Sequence, residues 1–272
     1  LGEPEELIVR EFPIGTNQIK CAIVYMDGLV DKAQIQANII QNVIVKIKEF
    51  EKPANTQGLF QFIHEQMITV GKVQENDVFD DVMVGILAGE TALFLDGMKV
   101  VLTMDTRGGE QRSIKEPITE SLIRGPREGF VENIGTNVAM VRNRLKDPNL
   151  RIESHKAGRR GKRNLALLYI DGIVNPAILK EVKRRLKTMD IDDVAESGYV
   201  EEWIQDSFLS PFPQMISSER PDTVVANLLK GKVSIIIHGT PIVLLLPISF
   251  GNILQSREDY YERWNIGSLL RI

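Results

Sequence analysis

The chain has 272 residues, 43% hydrophobic and 26% charged, with a formal net charge of −4. Those proportions belong to a folded globular protein and exclude a collagen-like, disordered or coiled-coil chain. The acidic balance gives no global sign of a nucleic-acid binder, and none is expected as a partner. Leu1-Gly2-Glu3-Pro4-Glu5-Glu6 opens the chain without an initiator Met, a basic stretch or an apolar run. A secretory signal is therefore not expected, and a piece of a longer protein is.

In chain order, the first element is an apolar strand over Ile19–Met26 that contains Cys21. As the only cysteine, Cys21 rules out an intrachain disulfide and a CxxC site, and its apolar strand predicts a buried, inert thiol. A turn at Asp27-Gly28 follows. Asp31 then sits where an N-cap belongs, before a helix over Lys32–Glu49 with Ile35, Ile39, Ile40, Val43 and Ile47 on one face. A second helix, Asp81–Ala88, ends at Gly89, and a hairpin turns at Asp96-Gly97, a type I′ signal.

The same order then recurs. Lys20–Val30 aligns with Asn164–Val174, sharing Tyr, Asp, Gly and Val, and Ile86–Leu102 aligns with Leu228–Leu244. The shift is 144 residues in the first block (Lys20 to Asn164) and 142 in the second (Ile86 to Leu228). The second copy reads as a strand over Leu165–Ile170, an Asn175 cap with Pro176 at the first helical position, and a helix over Pro176–Met189. A helix over Asp222–Lys230, closed by Gly231, comes next. The apolar run Val233–Phe250 is broken by His238-Gly239-Thr240-Pro241 and reads as two strands around a turn, not a membrane span.

The fold class expected is α/β: two related lobes with mixed sheets, produced by internal duplication and joined by an inserted helical segment. The first subdomain is expected over residues 1–153, with the insertion at about 105–152. A basic linker is expected over 154–163, and the second subdomain over 164–272.

The insertion carries Arg124-Gly125-Pro126-Arg127-Glu128-Gly129-Phe130 and a helix expected over Glu128–Leu145. Arg124, Arg127 and Glu128, with Asn133 and Asn137 on the helix, form either a sharp turn with locally paired charges or a contact surface for a partner or anion. The linker, His155 to Arg163, is a solvated loop or a site for a lipid surface or partner. Asp27 and Asp171 end equivalent strands, where α/β sites often gather, and each also precedes a turn glycine. The histidines, His64, His155 and His238, are dispersed, and His64-Glu65-Gln66-Met67-Ile68 fails HExxH. No GxSxG, GxGxxG or Walker-type loop occurs. No catalytic residue, metal or cofactor is expected, and the protein is expected not to be an enzyme. Tyr260, Tyr261, Arg263 and Trp264 precede an apolar end and read as a membrane-proximal segment or an amphipathic helix.

Several strings together resemble the N-terminal region of the A subunit of GerA-type spore germination receptors. They are Tyr25-Met26-Asp27-Gly28-Leu29-Val30, the Arg124–Phe130 string, Arg144-Leu145-Lys146-Asp147-Pro148-Asn149-Leu150 and Tyr169-Ile170-Asp171-Gly172-Ile173. Ser210-Pro211-Phe212-Pro213, Glu219-Arg220-Pro221-Asp222 and Ser256–Arg263 complete the set and extend it over nearly the whole chain. The resemblance implies a receptor subunit of the spore inner membrane, with spans after residue 272; the missing signal and the lack of a disulfide put the expected place of this domain on the cytoplasmic (core) side. It further implies B and C subunits as partners, self-association of A subunits, and a response to small nutrients. Signal transduction and assembly is the function expected. The alternative is a germinant-binding module with a ligand site between the lobes.

Overall fold

The structure, a computed structural model, describes residues 4–14, 18–45, 56–108, 128–194, 196–207 and 212–248. The chain divides into two compact units. One is Leu1–Gln111 with Lys146–Pro148, and the other is Arg112–Leu145 with Asn149–Ile272.

The first lobe is a five-stranded sheet with helices. Its strands are β1 (Leu7–Ile14), β2 (Ile19–Met26), β3 (Val73–Asn76), β4 (Glu90–Leu95) and β5 (Val101–Asp105). Spatial order is β1-β2-β4-β5-β3. α1 covers residues 32–45 with a π turn over Gln36–Ile40, and α2 covers residues 56–67 with a π turn over Ile63–Met67. Asp31 caps α1 as expected: its Oδ1 accepts from the Ala33 and Gln34 amides at 2.9 and 3.1 Å. The α1 stripe Ile35, Ile39, Ile40 and Val43 is buried on Ile23, Leu93, Leu102 and Met104 of the sheet. Each such side chain contributes about 1.5–3 kcal/mol. Ile47 lies outside the described residues. α3 (Phe79–Leu87) packs with Val82, Ile86 and Leu87 buried, and Gly89 closes it at φ +90°.

The second lobe repeats this plan. Its strands are β6 (Leu150–Ala157), β7 (Arg163–Ile170), β8 (Ile216–Ser218), β9 (Val233–Ile237) and β10 (Val243–Leu246), in spatial order β6-β7-β9-β10-β8. Its helices are α4 (Ile134–Arg144), α5 (Pro176–Lys187), α6 (Ser197–Ile204) and α7 (Pro221–Leu228). Asn175 caps α5 through the Ala177 amide at 2.9 Å, and Gly231 lies beyond α7 at φ +79°. The sheet buries both faces: Leu165, Leu167, Ile235 and Leu244 on one, Ala166, Leu168, Ile236 and Leu245 on the other.

The two related α/β lobes are as expected, but the sheets are not mixed. Every strand pair in both is antiparallel. The strands that complete each sheet, β1 and β3 in one lobe and β6 and β8 in the other, were absent from the sequence reading. The hairpin at Asp96-Gly97 is looser than a two-residue type I′ turn. Its loop runs over residues 96–100, because Met98 and Val100 are drawn onto the core. The insertion also falls elsewhere: α4 starts at Ile134, not at residue 128, and packs on the core of the second lobe rather than belonging to the first. The expected boundary at 153/154 cuts β6, and the expected linker 154–163 is the β6–β7 hairpin.

Cys21 is buried in β2, and burial pushes its thiol up to about 12. The thiolate is the reactive form. A thiol reagent such as DTNB is therefore expected to leave the folded protein unlabelled at neutral pH and to react fully in denaturant. Rapid labelling of the native chain would contradict the packing of β2.

Candidate functional site

Residues 128–145 form an arm on the second lobe. Phe130 is its buried anchor, with its amide donating to the Glu219 carbonyl at 2.8 Å. Asn137, fully buried, clamps the chain before α4. Its Oδ1 accepts from the Val131 amide at 2.8 Å, and its Nδ2 donates to the Val131 carbonyl at 2.6 Å. Asn133 caps α4 by accepting from the Thr136 amide at 3.2 Å. Buried Arg142 donates to the Leu150 carbonyl at 3.2 Å.

Of the two asparagines expected as contact residues, Asn137 is buried and holds the arm, whereas Asn133 caps α4 from an exposed position. Their positions explain the difference. Asn133 precedes the first helical turn, and Asn137 falls between Ile134 and Val141 on the apolar stripe. Glu128 stays at the surface, paired with Arg144. Arg124 and Arg127 lie outside the described residues, as do Tyr260, Tyr261, Arg263 and Trp264.

Asp27 and Asp171 occupy equivalent turns. The Asp27 amide donates to the Glu6 carbonyl at 2.7 Å, and the Asp171 amide to the Asn149 carbonyl at 2.9 Å. Gly28 and Gly172 follow, both at φ +83°, a left-handed conformation that glycine takes at low cost. Asp27 Oδ1 accepts from the Gly28 amide and lies 2.6 Å from Lys32 Nζ, while Asp171 lies 3.7 Å from Arg151. The Asp27 carboxylate thus closes its own turn, and the Asp171 carboxylate pairs across to β6.

Part of the basic run is paired within the lobe. Arg159 meets Asp190 and Asp192 at 3.2 and 3.3 Å, and Arg163 meets Asp193 at 3.3 Å. The Arg159 and Arg160 amides also bind the Ile191 and Asp192 carbonyls.

One polar network escaped the sequence reading. Glu153 Oε1 on β6 accepts from Tyr169 Oη at 2.5 Å and from Lys183 Nζ at 2.6 Å, and the ammonium sits 5.0 Å from the tyrosine ring centroid. Burial pushes the Glu153 carboxyl up, but the hydrogen bonds from Lys183 and Tyr169 outweigh it and hold it low. Burial works against the Lys183 ammonium, yet the bond to Glu153 carries it above its ordinary value. Burial first, then Glu153, raises the Tyr169 hydroxyl.

The signs fix a pH profile. The depressed Glu153 contributes stability above its unfolded value near 4.5, and this is lost as pH falls through the folded value. The raised Lys183 and Tyr169 contribute stability below about 10, lost as pH rises through their folded values. Urea midpoints are expected to plateau between those limits. Glu153→Gln should flatten the alkaline fall; an unchanged fall would mean that the network carries no stability.

A cavity of about 600 Å³ opens beside α5, floored by Ile178, Val182, Ile204, Met215 and Leu246. Its charges are satisfied. Arg185 donates to Glu181 at 2.6 Å, to Asp206 at 2.5 Å and to the Ile204 carbonyl. Hydrogen bonds from Arg184 and Arg185 lower the Glu181 carboxyl to about 2. What this cavity offers is apolar surface with a fixed polar rim.

Two antiparallel five-stranded lobes related by duplication, with an arm on the second, define a class shared with known proteins. The chain belongs to the family of the Bacillus/Clostridium GerA spore germination protein, whose model matches residues 1–272. It is similar to the crystal structure of the N-terminal domain of the A subunit of the Bacillus megaterium spore germinant receptor GerK3. The TM-score is 0.70 and the identity 38%, over 92% of this chain and 91% of that one. It is 40% identical to spore germination protein GerLA of Bacillus cereus, over 100% of this chain and 54% of that protein. It is also 40% identical to spore germination protein KA of Bacillus subtilis, over 100% of this chain and 49% of that protein. The chain thus spans about half the length of the curated relatives it matches. Among the described residues no helix is long and apolar enough to cross a membrane.

Proposed function

We propose that this domain is a non-enzymatic signalling and assembly module of a nutrient germinant receptor in the spore inner membrane. It faces the core side, joins B and C subunits and further A subunits, and passes the nutrient signal into the membrane part that follows. The observation behind this reading is the near-complete match, 92% against 91%, with an A-subunit N-terminal domain. The relatives carry about as much chain again outside the matched part.

The test uses the full-length subunit in spores. Arg124→Glu with Arg127→Glu should leave its abundance unchanged, reduce copurification of the other subunits and slow nutrient-triggered germination. Normal germination and intact copurification would remove Arg124 and Arg127 from assembly.

A second reading, small-molecule binding, draws on the cavity beside α5, whose volume suits a small ligand. A germinant that binds only the folded state raises stability by RT ln(1 + [L]/Kd). A thermal shift abolished by Ile178→Asp would favour it, and no shift at millimolar germinant would set it aside.

A further inference from the structure

The cavity beside α5 is built to sort ligands by charge. Above its apolar floor stand Phe212 and two prolines, Pro213 and Pro247. Phe212 lines the cavity yet is 65% exposed, so its ring is open to a ligand.

The rim is charge-balanced. Glu181 and Asp206 bring two carboxylates, which Arg185 and its neighbour Arg184 meet with two guanidiniums. Arg185 is the cation among the described lining residues, and each of its three nitrogens is engaged. Nε donates to Glu181 at 2.6 Å, Nη2 to Asp206 at 2.5 Å, and Nη1 to the Ile204 carbonyl. Arg184 holds Glu181 from the other side at 2.8 and 2.7 Å. A ligand carboxylate seeks a guanidinium fork, but the fork here is already filled by the protein's own acids. Two rim atoms stay open. Among the described residues Asp206 Oδ2 accepts no hydrogen bond and Gln214 Nε2 donates none, while Gln214 Oε1 accepts from the Asp206 amide at 2.7 Å. One is an acceptor and the other a donor.

We infer that this cavity takes an uncharged ligand, a ring-bearing apolar body that carries a primary amide or a similar group with one donor and one acceptor. The body covers the floor and lies against Phe212, where aromatic rings favour offset or edge-on contact. The ligand N–H meets Asp206 Oδ2, and its carbonyl meets Gln214 Nε2. A carboxylate in the same place loses its water, faces Glu181 and Asp206, and finds no cation to pair with. This deepens the small-molecule reading of the cavity and rests on it, adding the charge class of the ligand.

The test compares two probes that differ by one group, indole-3-acetamide and indole-3-acetate. Both are titrated into the 272-residue chain by calorimetry at pH 7. The amide is expected to bind saturably and the carboxylate at least about tenfold more weakly. Asp206→Asn, at an exposed side chain, should narrow that gap by removing a negative charge and loosening the hold on Arg185. Equal or tighter binding of indole-3-acetate, or an unchanged gap in the Asp206 variant, would overturn the charge class and leave the small-molecule reading standing. No saturation at millimolar amide would overturn the inference as well. Amide binding that survives Ile178→Asp would overturn both, because the ligand then lies elsewhere. If that variant unfolds by circular dichroism, Phe212→Asp, at an exposed ring, takes its place.

Discussion

Asn137→Ala is expected to destabilise the second lobe by about 2–4 kcal/mol, because it leaves two backbone groups of Val131 without partners. The clamp is short at both ends, 2.8 and 2.6 Å, and its side chain is fully buried. An unsatisfied polar group costs more than the bond it lost contributed, since water cannot enter to replace it. For a lobe of this size the melting temperature should fall by roughly 6–12 °C. Asn133→Ala is the comparison, since a lost helix cap costs about 1 kcal/mol. Thermal unfolding of both variants settles the order. If the Asn133 variant proves the weaker of the two, the arm is held by its apolar stripe and Phe130, not by the clamp.

Gly231→Ala is expected to cost about 3 kcal/mol or more, and Gly172→Ala about 1 kcal/mol. Both residues lie in the left-handed region, at φ +79° and +83°, so both alanines suffer the same backbone strain. The surroundings separate them. A Cβ on Gly231 would stand 2.8 Å from the Ile173 carbonyl oxygen, whereas on Gly172 it would meet nothing within 4 Å. Backbone atoms cannot swing aside as a side-chain tip can, so the Gly231 clash must displace the turn. Gly89, its counterpart in the first lobe, meets the Leu29 carbonyl oxygen at 2.9 Å, and Gly89→Ala should match Gly231→Ala. Denaturant unfolding of the three variants checks the ranking, and equal losses at Gly172 and Gly231 would refute it.

The duplication was legible because the central strands, D-G turns and caps are specified locally. Asp31 and Asn175 cap where their side chains and following residues predict, and Gly89 and Gly231 adopt the left-handed conformation the reading required. The edges were not legible. β3 (Val73–Asn76) is short and largely polar, β8 has three residues, and β6 runs into basic residues that resemble a solvated loop. Strand direction was missed for a related reason: once these edge strands are overlooked, so is the pairing order. At the arm, the polarity of Asn137 suggests a surface residue, whereas its spacing from Ile134 and Val141 puts it on the buried stripe. The Glu153–Tyr169–Lys183 network joins three elements that are remote in sequence, so no local pattern reveals it.

Among the described residues every strand pairing closes within one lobe, and the first sheet ends at Asp105, before any strand of the second begins. A ribosome releases the chain in that same order, and domains generally fold as units, N-terminal first. The first lobe therefore has all its sheet partners while the second is still being synthesised. Neither sheet waits for a strand from the far end of the polypeptide, so a translation pause between the lobes leaves no unmatched central strand to aggregate.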